Sequence, residues 1–554
     1  MAYENSQPMR ALRRLRPDPW SVAALAVAAL ATAPLVSVLV IAATPDGNVW
    51  PHLWATVLPR YLRDTLILMA GVGTLAGIAG TGAAWLTVTR DFPGRRWLDW
   101  AMLFPLAVPA YVGAYALVDF LDYAGPFQTF LRGLMGWTDA RDYRFPEIRS
   151  RWAAIVVLAG ALYPYVYLLA RAAFREQSGA AHEVARALGT GPWGLFWRVG
   201  LPLARPAIAA GVALVLMETV ADYGTVAHFG VQTLTTGIFS TWLTAGNAAG
   251  AAQIATLLLG LVIVLVAVER ASRRRARHHG AARGDRPLHR TRLAGWRGWA
   301  ATGFCLAPLA VGFALPVGVM LGHGLRNPDA WVSPGLGRAL ANTLVLGATA
   351  AALTVALALV LVFGARMSRH ALPRRLLPVA TLGYAAPGAV LALGLLVPLA
   401  ALDNRVADAV LALTGRDPGL ILTGTMAALV IAFVVRFFGI AQGALEAGLG
   451  RINPSLPLAA RLLGRSPGGT LGTIYMPLLR GSLATALLLV FVDSVKELPA
   501  TLFLRPFNFD TLSTRVYELA SLERLSEAAP AALLVMLVGL AAVAFVARAT
   551  REPG

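Results

Sequence analysis

Apolar runs of about 20 residues recur from one end of this chain to the other, and that is the length one helix needs to cross a bilayer. They lie near Trp20–Ala43, Leu62–Val88, Ala101–Leu121, Trp152–Ala173, Pro206–Val220 and Gly250–Val268. A second set lies near Trp299–Leu321, Leu340–Gly364, Leu377–Ala400, Leu420–Ala441, Leu479–Val495 and Pro530–Val546. In lipid such a run folds as a helix, because a helix bonds its own backbone N–H and C=O groups. The expectation is an all-α polytopic membrane protein with twelve spans. Pro109, Pro164, Pro387 and Pro398 fall within these runs and are expected inside membrane helices, which tolerate Pro. Composition agrees: 57% of residues are hydrophobic and 14% charged, against about 45–50% and about 25% in soluble domains. That balance excludes both an ordinary soluble enzyme and a disordered chain. The first run follows Arg10, Arg13, Arg14 and Arg16. Its apolar stretch exceeds the roughly 7–15 residues of a signal peptide, so an uncleaved helix is expected. With Cys305 as the single cysteine, an intrachain disulfide is excluded.

The formal net charge is +19, and its placement gives the topology. With the N-terminus inside and the spans alternating, inner segments hold roughly 30 basic residues and outer ones roughly 14. Arg90, Arg95 and Arg96 fall inside, as do Arg270, Arg273, Arg274, Arg275 and Arg277, and Arg366, Arg369, Arg374 and Arg375. The exception is an outer loop with Arg132, Arg141, Arg144, Arg149 and Arg151, partly offset by Asp139, Asp142 and Glu147; long outer loops obey the rule weakly. Both termini are expected in the cytoplasm. The charge reads as a topology determinant and a contact for the lipid bilayer, with no nucleic-acid partner.

The halves match at an offset of 275–278 residues. Asp64-Thr65-Leu66 aligns with Asn342-Thr343-Leu344, Val108-Pro109-Ala110 with Ala386-Pro387-Gly388, and Leu234-Thr235-Thr236 with Leu512-Ser513-Thr514. Six spans per half give both copies the same orientation, a parallel repeat with a central path. The expected organisation is a cytoplasmic segment over 1–19, a first transmembrane domain over 20–269, a basic cytoplasmic linker over 270–297, a second transmembrane domain over 298–548 and a tail over 549–554. His278-His279 in the linker has no third ligand nearby, so no tightly bound metal is expected.

The loop after span four, 182–202, reads His182-Glu183-Val184-Ala185-Arg186-Ala187-Leu188-Gly189 and continues to Val199-Gly200-Leu201-Pro202. Its counterpart, 457–477, reads Leu458-Ala459-Ala460-Arg461-Leu462-Leu463-Gly464, then Ile474-Tyr475-Met476-Pro477. In each, a short Ala/Leu-rich helix ends at a Gly suited to positive φ, and the Gly-to-Pro spacing is the same. This pair resembles the EAA loops of ATP-binding-cassette importer permeases. Glu183, Ala185, Gly189, Pro202, Ala459, Ala460, Gly464 and Pro477 match that motif, with Arg186 and Arg461 beside it; Leu458 replaces its Glu. The resemblance implies two type-I ABC transmembrane domains in the bacterial inner (plasma) membrane, each coupled through its loop to a cytoplasmic ATPase, two copies in all. It also implies a periplasmic substrate-binding protein. No G-x-x-x-x-G-K-[ST] phosphate loop surrounds Lys496, the only lysine. The chain is therefore expected to be no enzyme and to need no cofactor of its own, with ATP and Mg held by the partner.

Span five carries Glu218 and Asp222, four apart and expected on one helix face. Span eleven carries Asp493, Lys496 and Glu497, the acids matching at the repeat offset. Intramembrane charges normally face a bundle interior or watery cavity. Two readings stand: a carboxylate-lined path or gate for a cation, and an interhelical salt bridge in which Lys496 neutralises an acid. Glu218-Thr-Val-Ala-Asp222-Tyr223-Gly224-Thr225 and Lys496-Glu497-Leu498-Pro499-Ala500-Thr501 resemble ferric-iron ABC permeases, which implies ferric iron as the substrate. Fused permeases for thiamine and for aminophosphonates are similar and supply the alternative substrates. A major-facilitator secondary transporter shares the twelve-span layout, and Asp91-Phe92-Pro93-Gly94-Arg95-Arg96 is similar to its loop after span two. Phe92 and Thr87 depart from that motif.

Overall fold

The structure is a computed structural model and describes residues 19–44, 49–177, 179–276, 290–368, 370–453 and 455–549. Most of the N-terminal segment, the linker stretch with His278-His279 and the tail after Ala549 lie outside the described residues. The chain is all-α as expected. Among the described residues eleven helices are long and apolar enough to span a membrane, and a twelfth span is a bent pair, Arg95–Ala107 with Ala110–Met135, angled at 96°.

That bend corrects the expectation for span three. Pro109 does not sit inside a helix but at the N-cap of Ala110–Leu121, with ψ 137°. Pro387 occupies the same place before Gly388–Thr414, with ψ 145°, so span nine begins at Gly388 rather than Leu377. Pro lacks the N–H that would bond back into a preceding turn and biases the residue before it away from helix. Pro164 and Pro398 do lie within helices. Span ten starts at Met426 rather than Leu420, where the Thr425 hydroxyl accepts from Ala427 N. The stretch before it is held by Asp403, a buried carboxylate that accepts from the amides of Ile421, Leu422 and Thr423 and from the Thr423 hydroxyl. At the same register of the first half, buried Gln128 donates to Leu121 O and accepts from Tyr143. Hydropathy averaging does not see these polar caps, and so misplaces the ends.

By contacts the chain forms two compact units that do not follow the sequence halves. The smaller comprises 19–40 with 343–508. In it Pro19–Ala43 lies so close to its neighbours that a Cβ on Gly394 would overlap Pro34 O, and one on Gly364 would meet Trp20 O at 2.9 Å. Ser21 and Ser368 hydroxyls meet at 2.6 Å. The larger comprises 41–342 with 509–549. Its core joins Leu58–Thr89, Arg151–Arg175 and Leu201–Ala221 around Trp85, Tyr163, Val166 and Tyr167. There the Gly160 and Gly312 backbones abut, with no room for a Cβ on Gly312. Small residues at helix crossings are how lipid-embedded helices gain packing, since apolar burial drives little association there. Each unit therefore contains the first span of the other sequence half.

Two elements shape the loop face of the larger unit. Strand Arg90–Asp91 pairs in parallel with Thr291–Arg292, fastening the loop after the second span to the chain before Trp296. Beside it Asp99 is buried and accepts from Arg171 Nε at 2.7 Å, from Tyr167 Oη at 3.0 Å and from Arg175 Nη2 at 3.1 Å, with a second bond from Arg171 Nη2.

Candidate functional site

Both EAA-like loops fold as the sequence expects, and alike. The first has helix Gly179–Ala187, then Gly189 at φ 80°. The second has helix Ser455–Leu462, then Gly464 at φ 78°. Thr190 N bonds back to Ala185 O and Arg465 N to Ala460 O, both at 3.0 Å. These six-to-one bonds close the helix ends through a left-handed residue, a conformation Gly adopts without steric cost.

The chain then enters the next span through a widened turn, Phe196–Gly200 in one loop and Leu471–Tyr475 in the other. Each π-turn ends two residues before Pro202 or Pro477, as does a third, Ala310–Ala314, before Pro316. A Pro cannot donate to the carbonyl four residues back and its ring clashes with it; a five-residue turn relieves both. The repeated Pro thus favours the repeated bulge, although a bulge also forms without one at Ser240–Thr244. Glu183 and Arg186 are exposed, as are Ala459, Gly189, Gly464, Pro202 and Pro477, while Ala185 is half-buried and Ala460 buried. The Arg461 side chain lies outside the described residues. Leu188, Trp193, Leu458, Leu462 and Leu463 all expose more than half their surface.

The two loops differ in how they are tied down. His182 is buried and hydrogen-bonds Gln177 Oε1 at 3.1 Å, and Gln177 Nε2 donates to Gly200 O at 2.9 Å. Trp85 packs against Phe174, Phe196 and His182. Burial, then the nearby Arg186, lowers the His182 pKa from its ordinary 6.5. Because the folded value lies below the unfolded one, the unfolded loop binds more protons in that window. The stability it lends is full above about pH 6.5 and is lost as pH falls through the folded pKa. Protection factors for amide exchange in 182–200, taken against the intrinsic rate at each pH, should therefore fall on acidification, and His182→Gln should flatten that pH dependence.

The membrane acids are arranged differently from the expectation. Helix Leu201–Ala221 ends before Asp222, which is extended at ψ 136°, so Glu218 and Asp222 do not share a helix face. Asp222 Oδ1 instead accepts from Thr225 N at 3.0 Å and Val226 N at 3.1 Å, and Oδ2 from Thr225 Oγ1 at 2.9 Å. It caps the short helix Gly224–His228. Glu497 does the same for Pro499–Leu504, accepting from Ala500 N, Thr501 N and Thr501 Oγ1 at 2.9–3.1 Å. Both residues stand where a span stops and the chain turns back. Glu218 and Asp493 remain helical, about 38–39 Å along continuous helices that begin at Pro192 and Gly468, near the end remote from the EAA-like loops.

Lys496 Nζ pairs with Asp493 at 2.8 Å, three residues back along its own segment. Arg436, which the sequence did not single out, reaches Glu497 from another helix, 3.7 Å from Oε1. Gly388 also approaches: a Cβ there would lie 2.7 Å from Glu497 Oε1. The break at Pro387 thus brings a positive helix N-terminus to a carboxylate. After each short helix the chain forms a capping box, Thr233 with Thr236 and Thr511 with Thr514. In the larger unit Tyr223 stacks on Phe239 at 3.5 Å between centroids, and its hydroxyl meets that of Tyr517 at 3.3 Å.

Known proteins are similar to this chain. The sequence matches the family described as "Binding-protein-dependent transport system inner membrane component" twice, over residues 73–278 and 356–551. It is 26% identical to the Fe(3+)-transport system permease protein FbpB 2 of Haemophilus influenzae, over 87% of this chain and 88% of that one. It is 27% identical to the molybdenum transport system permease ModB of Escherichia coli K12, over 35% of this chain and 85% of that one. It is also 27% identical to the sulfate transport system permease CysT of the same strain, over 32% and 62%. The chain belongs to the binding-protein-dependent transport-system inner-membrane components, as a multi-pass permease with two copies of the family domain fused in one polypeptide.

Proposed function

We propose that this permease imports ferric iron, delivered by a periplasmic binding protein and driven by a pair of cytoplasmic ATPase subunits that hold the ATP and Mg. The observation that carries the reading is the pair of matching loops. Two short helices with the same Gly closure and wide turn before a Pro, at one register in both repeats, suit two docking grooves on two ATPase copies. Glu183, Ala185, Arg186, Gly189 and Pro202 form one docking element; Ala459, Ala460, Arg461, Gly464 and Pro477 form the other. Their exposed leucines and tryptophans supply the apolar surface such a contact buries. The termini then lie in the cytoplasm, beside the inner membrane.

Iron is favoured over molybdate or sulfate because the likeness to the Fe(3+)-transport permease spans nearly both whole chains, whereas the others cover about a third of this one. Closure of the loops on ATP binding would shift the spans between two states. In the larger unit Glu218, Asp222 and Tyr223 are assigned to the translocation path or gate, and in the smaller unit Asp493, Lys496 and Glu497 are. In the reconstituted complex, iron-loaded binding protein should stimulate ATP hydrolysis. Thiamine-, aminophosphonate-, molybdate- or sulfate-loaded proteins should not; stimulation by one of these alone would reassign the substrate.

A further inference from the structure

In the larger unit three positions on helix Arg151–Arg175, four residues apart, point into one closed ion cluster. Tyr167, Arg171 and Arg175 all bond Asp99. The corresponding positions on helix Met426–Gly450 of the smaller unit, at an offset of 275, are Gln442, Glu446 and Gly450. Of the two cations that close the site in the first half, Arg171 is thus replaced by an acid and Arg175 by a glycine in the second. The result is an open cavity of about 380 Å³ lined by Val362, Arg366, Arg374, Leu377, Glu446 and Leu449, with Gly450 at its edge.

The cavity is built for an anion beside apolar carbon. Arg366 Nη1 donates to Leu449 O at 3.2 Å and Arg374 Nε to Ala365 O at 3.0 Å. These bonds hold the two guanidinium groups in place and leave further donors on each. Glu446, the lone acid of the lining, accepts from Gln442 Nε2 at 2.9 Å. Val362, Leu377 and Leu449 supply the apolar wall. The depth is that of a membrane interface: the site lies at the loop-side ends of two spans. Trp20, Phe363 and Tyr475 pack edge to face beside it, at 4.9 and 5.4 Å, and aromatic rings collect at that level.

We infer that this cavity binds the phosphate headgroup of an anionic phospholipid, with Arg366 and Arg374 as its ligands. The phosphate supplies beside Arg366 and Arg374 the negative charge that the Asp99 carboxylate supplies to the arginines of the first half. Basic pockets between spans at this depth recognise anionic headgroups through charge and fit together.

The test is native mass spectrometry of the full-length protein from phosphatidylcholine vesicles with and without phosphatidylglycerol. The native protein should retain phosphatidylglycerol selectively. Arg366→Gln and Arg374→Gln should each weaken retention roughly fivefold. Gly450→Arg separates a built site from general attraction. It adds a positive charge, yet places a side chain in the cavity beside Glu446, where the helix leaves open space for a Cβ; it should also abolish retention. Thermal unfolding in phosphatidylcholine alone checks that each variant folds. Retention in Gly450→Arg equal to the native protein would overturn the inference. So would displacement of the lipid by inorganic phosphate, which would identify a free anion as the ligand.

Discussion

Asp99→Ala should cost the permease about 3–5 kcal/mol of stability, the loss expected when one partner of a buried ion pair is removed. Asp99 accepts four hydrogen bonds from three side chains. Arg171 is only 9% exposed, so it would be left as a buried charge without its carboxylate. Tyr167 would lose an acceptor and keep its contacts to Thr87 and to Asp99 O. The damage comes from the stranded cation rather than from lost attraction, and that distinction can be measured. Asp99→Leu combined with Arg171→Met removes both charges and should recover most of the loss, because apolar replacement of a whole buried pair is often neutral. Thermal unfolding of the purified protein reads both. Equal destabilisation by the single and double variants would mean that the pair holds the loop face together by its attraction. Arg175, the more exposed partner at 34% of its side chain, should matter least.

The EAA-like loops are legible in the sequence because their information is local. A Gly that needs positive φ and a Pro that favours a wide turn act within a few residues, and the offset of 275 copies both to the second loop. Both are positions where residue type and backbone are tied by sterics alone. The Asp99 cluster was not legible, since its partners are 68 to 76 residues away and no pattern marks which Arg reaches which Asp. Span ends fell between these cases. Apolar periodicity located the helices, yet Pro109 and Pro387 were carried inside them because a run of apolar residues continues across a bend as readily as along a helix. The same blindness merged Glu218 with Asp222. Four residues apart places two side chains on one face only while the helix lasts, and it ends at Ala221. The assignment of first spans to opposite compact units rests on close glycine crossings at Gly364, Gly394 and Gly312, which sequence patterning does not reveal.

The broken helix ends give the largest expected effect on transport, and the two readings of their acids predict different results. If Asp222 acts by charge on a passing cation, Asp222→Asn should be as damaging as Asp222→Ala. If it acts as a cap, Asn should serve nearly as well, since Asn and Asp are equivalent at such positions. The geometry favours the cap: one carboxylate oxygen takes both amide N–H groups, and the amide of Asn could still donate to Thr225 Oγ1. Alanine would leave those two N–H groups unpaired in a partly buried turn, at about 1–3 kcal/mol each. Uptake into vesicles should then fall at least about tenfold, with Asp222→Asn close to native. Glu497 is 5% exposed and spreads its bonds over both oxygens, with Arg436 alongside. Glu497→Gln must therefore give up the bond from Thr501 N or from Ala500 N and leaves Arg436 without its carboxylate, so it should lie between native and Asp222→Ala. Glu497→Ala, which loses every acceptor and the ion pair, should be the most damaged of the four. An order in which Asn and Gln fall with the alanine variants would assign the carboxylate charges to cation transport and take them away from helix capping.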